Sequence, residues 1–132
     1  MSKSVLCEEK DNICLITLNE EDTRNAISPE IIKELVSILE EIDNNKNISC
    51  AILTGAGKSF SSGGNLHEIN EMTENNNMSL RDIENWYRNG IQRIPMTFNK
   101  IDVPVIAAVN GHAIGAGTVS YTHLTLPTSR SV

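Results

Sequence analysis

An α/β domain is predicted by three features of this chain. Short apolar runs stand at Ile13 to Leu18, Cys50 to Leu53 and Val105 to Val109. Stretches with helical apolar spacing separate them, and a glycine-bearing turn lies directly behind each of the last two runs. Strand, helix, strand, helix, strand in alternation is the pattern of a sheet covered by helices. In the first run Ile13, Leu15 and Thr17 alternate with Cys14, Ile16 and Leu18, which suits a strand covered on both faces. Asn19 to Arg24 is a polar loop. Ser28 offers a capping hydroxyl and Pro29 occupies the first helical position. Ile31, Ile32, Leu35, Ile38, Leu39 and Ile42 then recur at helical spacing and predict a helix packed on the sheet, ended by Asp43 to Asn47. Leu66, Ile69 and Met72 predict a short helix that Asn75-Asn76-Asn77 ends in a loop. Ser79 with Asp82 has capping-box spacing and opens a helix carrying Leu80, Ile83, Trp86, Tyr87, Ile91 and Ile94.

With 132 residues and 39% hydrophobic content the chain suits one small domain with a buried core. A net charge of −6 argues against a nucleic-acid surface, which needs clustered Lys and Arg. It leaves room for an anionic small ligand held by backbone donors and local cations, for which Arg24, Lys58 and His67 are candidates. The N-terminus turns charged at Glu8-Glu9-Lys10 after only Val5-Leu6-Cys7, so neither a signal peptide nor a membrane span is expected, and a cytoplasmic location is the default. Cys7, Cys14 and Cys50 are odd in number and lack paired metal spacing, so buried reduced thiols are expected and no metal site. Gly55-Ala56-Gly57-Lys58-Ser59 invites a phosphate-loop reading but fails it, because the required earlier glycine falls at Ile52.

The two turns read Lys58-Ser59-Phe60-Ser61-Ser62-Gly63-Gly64-Asn65-Leu66 and Asn110-Gly111-His112-Ala113-Ile114-Gly115-Ala116-Gly117. Glycine lets a backbone bring bare N–H groups up to a ligand oxygen. Two such approaches on one oxygen outline an oxyanion hole, with donors aimed at charge that develops in the transition state. The chain resembles the enoyl-CoA hydratase/isomerase (crotonase) family in four segments, in order and at family spacing. They are Thr23-Arg24-Asn25-Ala26-Ile27-Ser28, Cys50-Ala51-Ile52-Leu53-Thr54-Gly55, Phe60 to Leu66, and Pro104 through Asn110-Gly111 to Gly117.

That resemblance implies a truncated crotonase-like α/β spiral of strand-strand-helix units, with the thioester pocket at helix starts. It implies an acyl-CoA thioester as substrate, coenzyme A being part of that substrate, with no tightly bound cofactor. By position the thioester oxygen would meet the amides of Gly64 and Ala116, while Asp22, Thr23 and Arg24 match the coenzyme-lining loop. His67 takes the place where relatives often carry a lysine near the ligand phosphates, although a solvated helix-face histidine is the simpler reading. Arg24 reads almost as well as an ordinary surface charge, and His112 as capping a turn rather than binding metal; Glu68 and Glu71 sit near the first donor loop, in place to face the acyl pocket, with a solvated face as the default reading. Ser61 and Ser62 have no partnered base, which argues against a serine nucleophile. The family's hydratases use two glutamates as base and acid. The first would fall at Val119 and the second beyond the recognisable sequence, so the chain as given is expected to be inactive. A non-catalytic acyl-CoA-binding or assembly subunit of the same fold is the alternative. Relatives assemble as homotrimers or hexamers through C-terminal helices, which is implied for a full-length parent.

The resemblance stops at Gly117, dividing the chain into a partial core, 1–117, and a tail, 118–132. Val119 to Thr128 back-translates as GTC TCT TAT ACA CAT CTG ACG CTG CCG ACG, which resembles a sequencing-library adapter. The tail is therefore read as foreign and set aside from fold reasoning.

Overall fold

The computed structural model describes residues 3–74 and 77–117. The tail from Thr118 onward and the expected break at Asn75-Asn76 lie outside the described residues. Two strand-strand-helix units follow one another: β1 (Val5–Lys10), β2 (Ile13–Leu18) and α1 (Pro29–Asp43), then β3 (Cys50–Gly55), β4 (Ser59–Ser61) and α2 (Leu66–Glu74). Then come α3 (Leu80–Asn89), α4 (Arg93–Lys100), β5 (Val105–Ala107) and β6 (His112–Ala113). The main sheet has the order β1-β2-β3-β5, and β4 pairs with β6 in a small parallel sheet.

β1 and β2 are antiparallel across a turn in which Asp11 and Asn12 have φ of 53° and 66°, as a type I′ hairpin turn requires. β3 lies parallel to both β2 and β5, which places the ends of β3 and β5, and hence both glycine turns, at the same edge of the sheet. The crossover from β2 to β3 is α1. It starts at Ser28, whose side chain accepts a hydrogen bond from the Ile31 N–H, with Pro29 in the first turn. Its inner face buries Ile31, Ile32, Leu35, Val36, Leu39 and Ile42. At roughly 1.5–3 kcal/mol per large aliphatic side chain, that face is the largest single apolar contribution of any helix here.

Four expectations change. The sheet is not covered on both faces: Cys14, Ile16 and Leu18 are buried, while Leu15 and Thr17 are only half-buried and Ile13 is exposed. The long helix through Ile94 is two helices. Gly90, with ψ of −113°, leaves the helical region, and Pro95, which cannot donate to Ile91, sits in the first turn of α4. The redirected chain carries Ile94, Thr97 and Phe98 of α4 into buried positions. β1 was not expected as a strand, because five of its six residues are exposed and it is an edge. The cysteines are not three buried thiols: Cys7 and Cys14 are joined across the β1–β2 hairpin as a disulfide, and Cys50 is free and half-buried. Adjacent strands bring the two sulfurs together although neither spacing nor number signals a pair.

Candidate functional site

The first glycine turn is fastened to the loop before α1. Asn25 is wholly buried, and its side-chain amide donates to the carbonyls of Ala56 and Ser59, both at 3.0 Å, while its Oδ1 accepts from the Glu20 N–H at 2.8 Å. Ser61 is also wholly buried; its hydroxyl donates to the Asn25 carbonyl at 2.7 Å and accepts from the Gly63 N–H at 3.2 Å. The Ile27 N–H donates to the Gly63 carbonyl at 2.7 Å, and Ile27 bridges to Gly64. Such buried, satisfied polar groups hold a backbone in one place.

The second turn is fastened to the first. The Asn110 side chain accepts from the Gly55 N–H at 3.1 Å and donates to the Gly57 carbonyl at 3.0 Å. The Ile114 N–H donates to the Ser61 carbonyl at 3.0 Å. At Gly63 the contact is close enough to demand glycine: φ is +96°, and a Cβ there would lie 2.5 Å from the Ile114 carbonyl oxygen and 3.4 Å from the Ala116 nitrogen. The turns therefore lie directly against one another.

Gly64 and Ala116 both line one cavity of about 580 Å³. Its wall also includes Ile27 and Ile32 of the α1 side, Ile69 of α2, and Trp86 and Ile91 from α3 and the turn after it. A mostly apolar chamber with polar groups distributed along its wall, Asn65, Glu68, Asn85 and Asn89 among them, suits a ligand with an apolar body and a few polar groups. α2 starts two residues after Gly64, so the partial positive charge of its N-terminus lies beside that turn.

Glu68, in the first turn of α2, lines this cavity and is half-buried. Burial chiefly, then the negative charges of Glu30 and Glu71, raises its carboxyl above the usual carboxylate range. Glu71 is exposed, as a solvated face requires.

The residues matched to coenzyme binding are arranged differently. Asp22 and Thr23 lie in a 3₁₀ turn, Glu21–Thr23, and with Arg24 they are exposed and outside the cavity lining. They reach the first glycine turn through backbone: the Arg24 carbonyl accepts from the Ser62 N–H and the Thr23 carbonyl from the Ser62 hydroxyl, both at 2.9 Å. His67 is exposed on α2, its Nδ1 3.8 Å from Glu71, and it too lies outside the lining. His112 lies in β6. The sequence did not reveal Asn25 as the clamp between two loops, nor Trp86 as a cavity wall. A positive φ of 57° at Asn25 is a backbone property that side-chain patterning does not carry.

Among the described residues no group of three His, Cys, Asp or Glu is arranged to hold a metal, and no helix is long and apolar enough to cross a membrane.

Comparison with known proteins agrees with this geometry. Residues 8–122 match the family described as enoyl-CoA hydratase/isomerase. The chain is 38% identical over 119 residues to YngF of Bacillus subtilis, named for the same family, covering 89% of this chain and 43% of that protein. It is 34% identical over 115 residues to the short-chain-enoyl-CoA hydratase of Clostridium acetobutylicum, covering 86% of this chain and 41% of that protein. The chain thus spans less than half the length of these relatives. The crystal structure of a probable enoyl-CoA hydratase/isomerase from Mycobacterium abscessus superposes with a TM-score of 0.72 at 30% identity, covering 91% of this chain and 43% of that one. Strand-strand-helix units, abutting glycine turns and sequence all lead to one assignment: the chain belongs to the enoyl-CoA hydratase/isomerase family, and its α/β fold is the crotonase fold, present in part.

Proposed function

We propose that the cavity binds an acyl-CoA thioester with its carbonyl oxygen between the backbone N–H groups of Gly64 and Ala116. Charge that builds on this oxygen as an enolate forms is stabilised there by donors already in place, and in known enzymes the loss of one such donor costs about 2.7–4 kcal/mol. The observation that carries the reading is that both turns line the same apolar cavity while their backbones pack against each other. Proton transfer needs further groups. Val119 stands where the family's first glutamate falls, and valine holds no transferable proton, so this chain binds without turning over.

The remaining readings follow from that one. Residues 1–117 are the partial core, and 118–132 are foreign sequence. The full-length parent is a cytoplasmic lyase or isomerase that assembles as a trimer or hexamer. Its coenzyme moiety lies toward Asp22, Thr23, Arg24 and His67, with no tightly bound cofactor. Were the tail native, Val119 would favour a second reading, a non-catalytic acyl-CoA-binding or assembly subunit of the same fold.

Native mass spectrometry of this chain with hexanoyl-CoA, together with an assay of the parent on an enoyl thioester, tests these readings. Retention of the thioester over free coenzyme A, with turnover by the parent alone, is expected. Retention with no turnover by the parent supports the non-catalytic subunit. No retention contradicts thioester binding.

A further inference from the structure

We infer that the Glu68 carboxylate makes this cavity select acyl thioesters whose acyl group carries no negative charge. The inference rests on the thioester-binding reading above. Besides Glu68, the ionisable groups on the wall are Tyr87 of α3 and Arg93 of α4, and both are exposed to water. Glu68 is half-buried and shares the cavity wall with Ile69 and Trp86. Among the described residues it forms no ion pair with a cation. The charged groups acting on it most are Glu30 of α1 and Glu71 of α2, both of its own sign. An acyl chain laid along the apolar lining from the Gly64 and Ala116 turns passes this half-buried carboxylate. A like charge at the end of that chain meets repulsion from Glu68. Arg93 acts from solvent, where a single cation is well screened.

Hexanoyl-CoA and adipyl-CoA have the same carbon count and differ only in the terminal carboxylate. Their dissociation constants for this chain, measured by calorimetry at about pH 8, well above the ordinary carboxylate range, isolate the effect. Adipyl-CoA is expected to bind roughly tenfold or more weakly than hexanoyl-CoA, since like charges facing each other in an interface cost at least that much. Glu68→Gln is expected to bring the two within about threefold, and Glu68→Lys to reverse the order. Far-ultraviolet circular dichroism checks that both variants keep the fold. Adipyl-CoA binding as tightly as hexanoyl-CoA overturns the inference, and a preference for adipyl-CoA lost in Arg93→Gln assigns selection to Arg93. A tenfold difference that persists in Glu68→Gln removes Glu68 from the account. Failure of both thioesters to bind overturns instead the underlying thioester reading, and this inference with it.

Discussion

α1 and α3 are both amphipathic helices with a capping serine, yet α1 buries six residues and α3 buries none. The difference lies in what each face meets. The apolar face of α1 meets the sheet, and its side chains exclude water from one another. The apolar side of α3 meets the cavity, where Trp86 is half-buried and its ring stands edge-on to Tyr87 at 5.0 Å between centroids. The first helix holds the fold, and the other shapes a space.

The sharpest way to break this comparison is to truncate both helices. Leu39→Ala in α1 removes a fully buried side chain and is expected to cost about 2–5 kcal/mol of unfolding free energy by urea titration. Trp86→Ala in α3 is expected to cost less than about 1 kcal/mol, because little packing is lost, while weakening hexanoyl-CoA binding roughly tenfold. Equal losses of stability would erase the distinction.

Asn25→Ala tests whether the glycine turns depend on their clamp. It leaves the buried carbonyl of Ser59 and the part-buried carbonyl of Ala56 without this donor and puts alanine at a positive φ, for an expected loss of about 2–3 kcal/mol and of thioester binding together. A variant that unfolds earlier yet binds normally would separate scaffold from site. Ser28→Ala removes the α1 cap and is expected to cost about 1 kcal/mol with binding unchanged.

The smallest expected effect concerns pH at the start of α3. The Ser79 side chain first, and its backbone N–H second, lower the Asp82 carboxyl below its ordinary value. A lowered folded-state pKa gives stability that is present above the unfolded value and lost as pH falls through the folded one. Fraying of α3, followed by the Trp86 fluorescence, is therefore expected only on acidification below the normal carboxylate range. Ser79→Ala is expected to move that onset to higher pH. Glu68 runs the other way. With its carboxyl raised, the folded state holds the proton more strongly, so stability declines as pH rises from the ordinary carboxylate value through the raised one, and Glu68→Gln is expected to remove that decline.

How legible each part was depends on how local its cause is. α1 is readable because its cap, proline and apolar spacing lie within one segment, from Ser28 to Ile42. The glycine turns are readable because glycines stand behind apolar runs, and family spacing attached roles to Gly64 and Ala116. β1 is obscured because an exposed edge strand tolerates Glu8, Glu9 and Lys10. The α3–α4 break depends on the dihedrals of Gly90 as much as on Pro95. The cavity draws residues from α1, α2, α3 and the second turn, so its composition follows only from tertiary packing. Asn25 and Ser61 are buried polar residues that, beside their local partners, bond across loops to groups 31 to 36 positions away, a relation that no local pattern encodes.

The most direct test of paired backbone donors is the infrared stretch of a ¹³C-labelled thioester carbonyl in hexanoyl-CoA bound to this chain. Two N–H groups on one oxygen polarise the bond and lower its frequency relative to the ligand in water. A clear downward shift is predicted, whereas a bound thioester whose carbonyl absorbs at its aqueous position would contradict donation by Gly64 and Ala116.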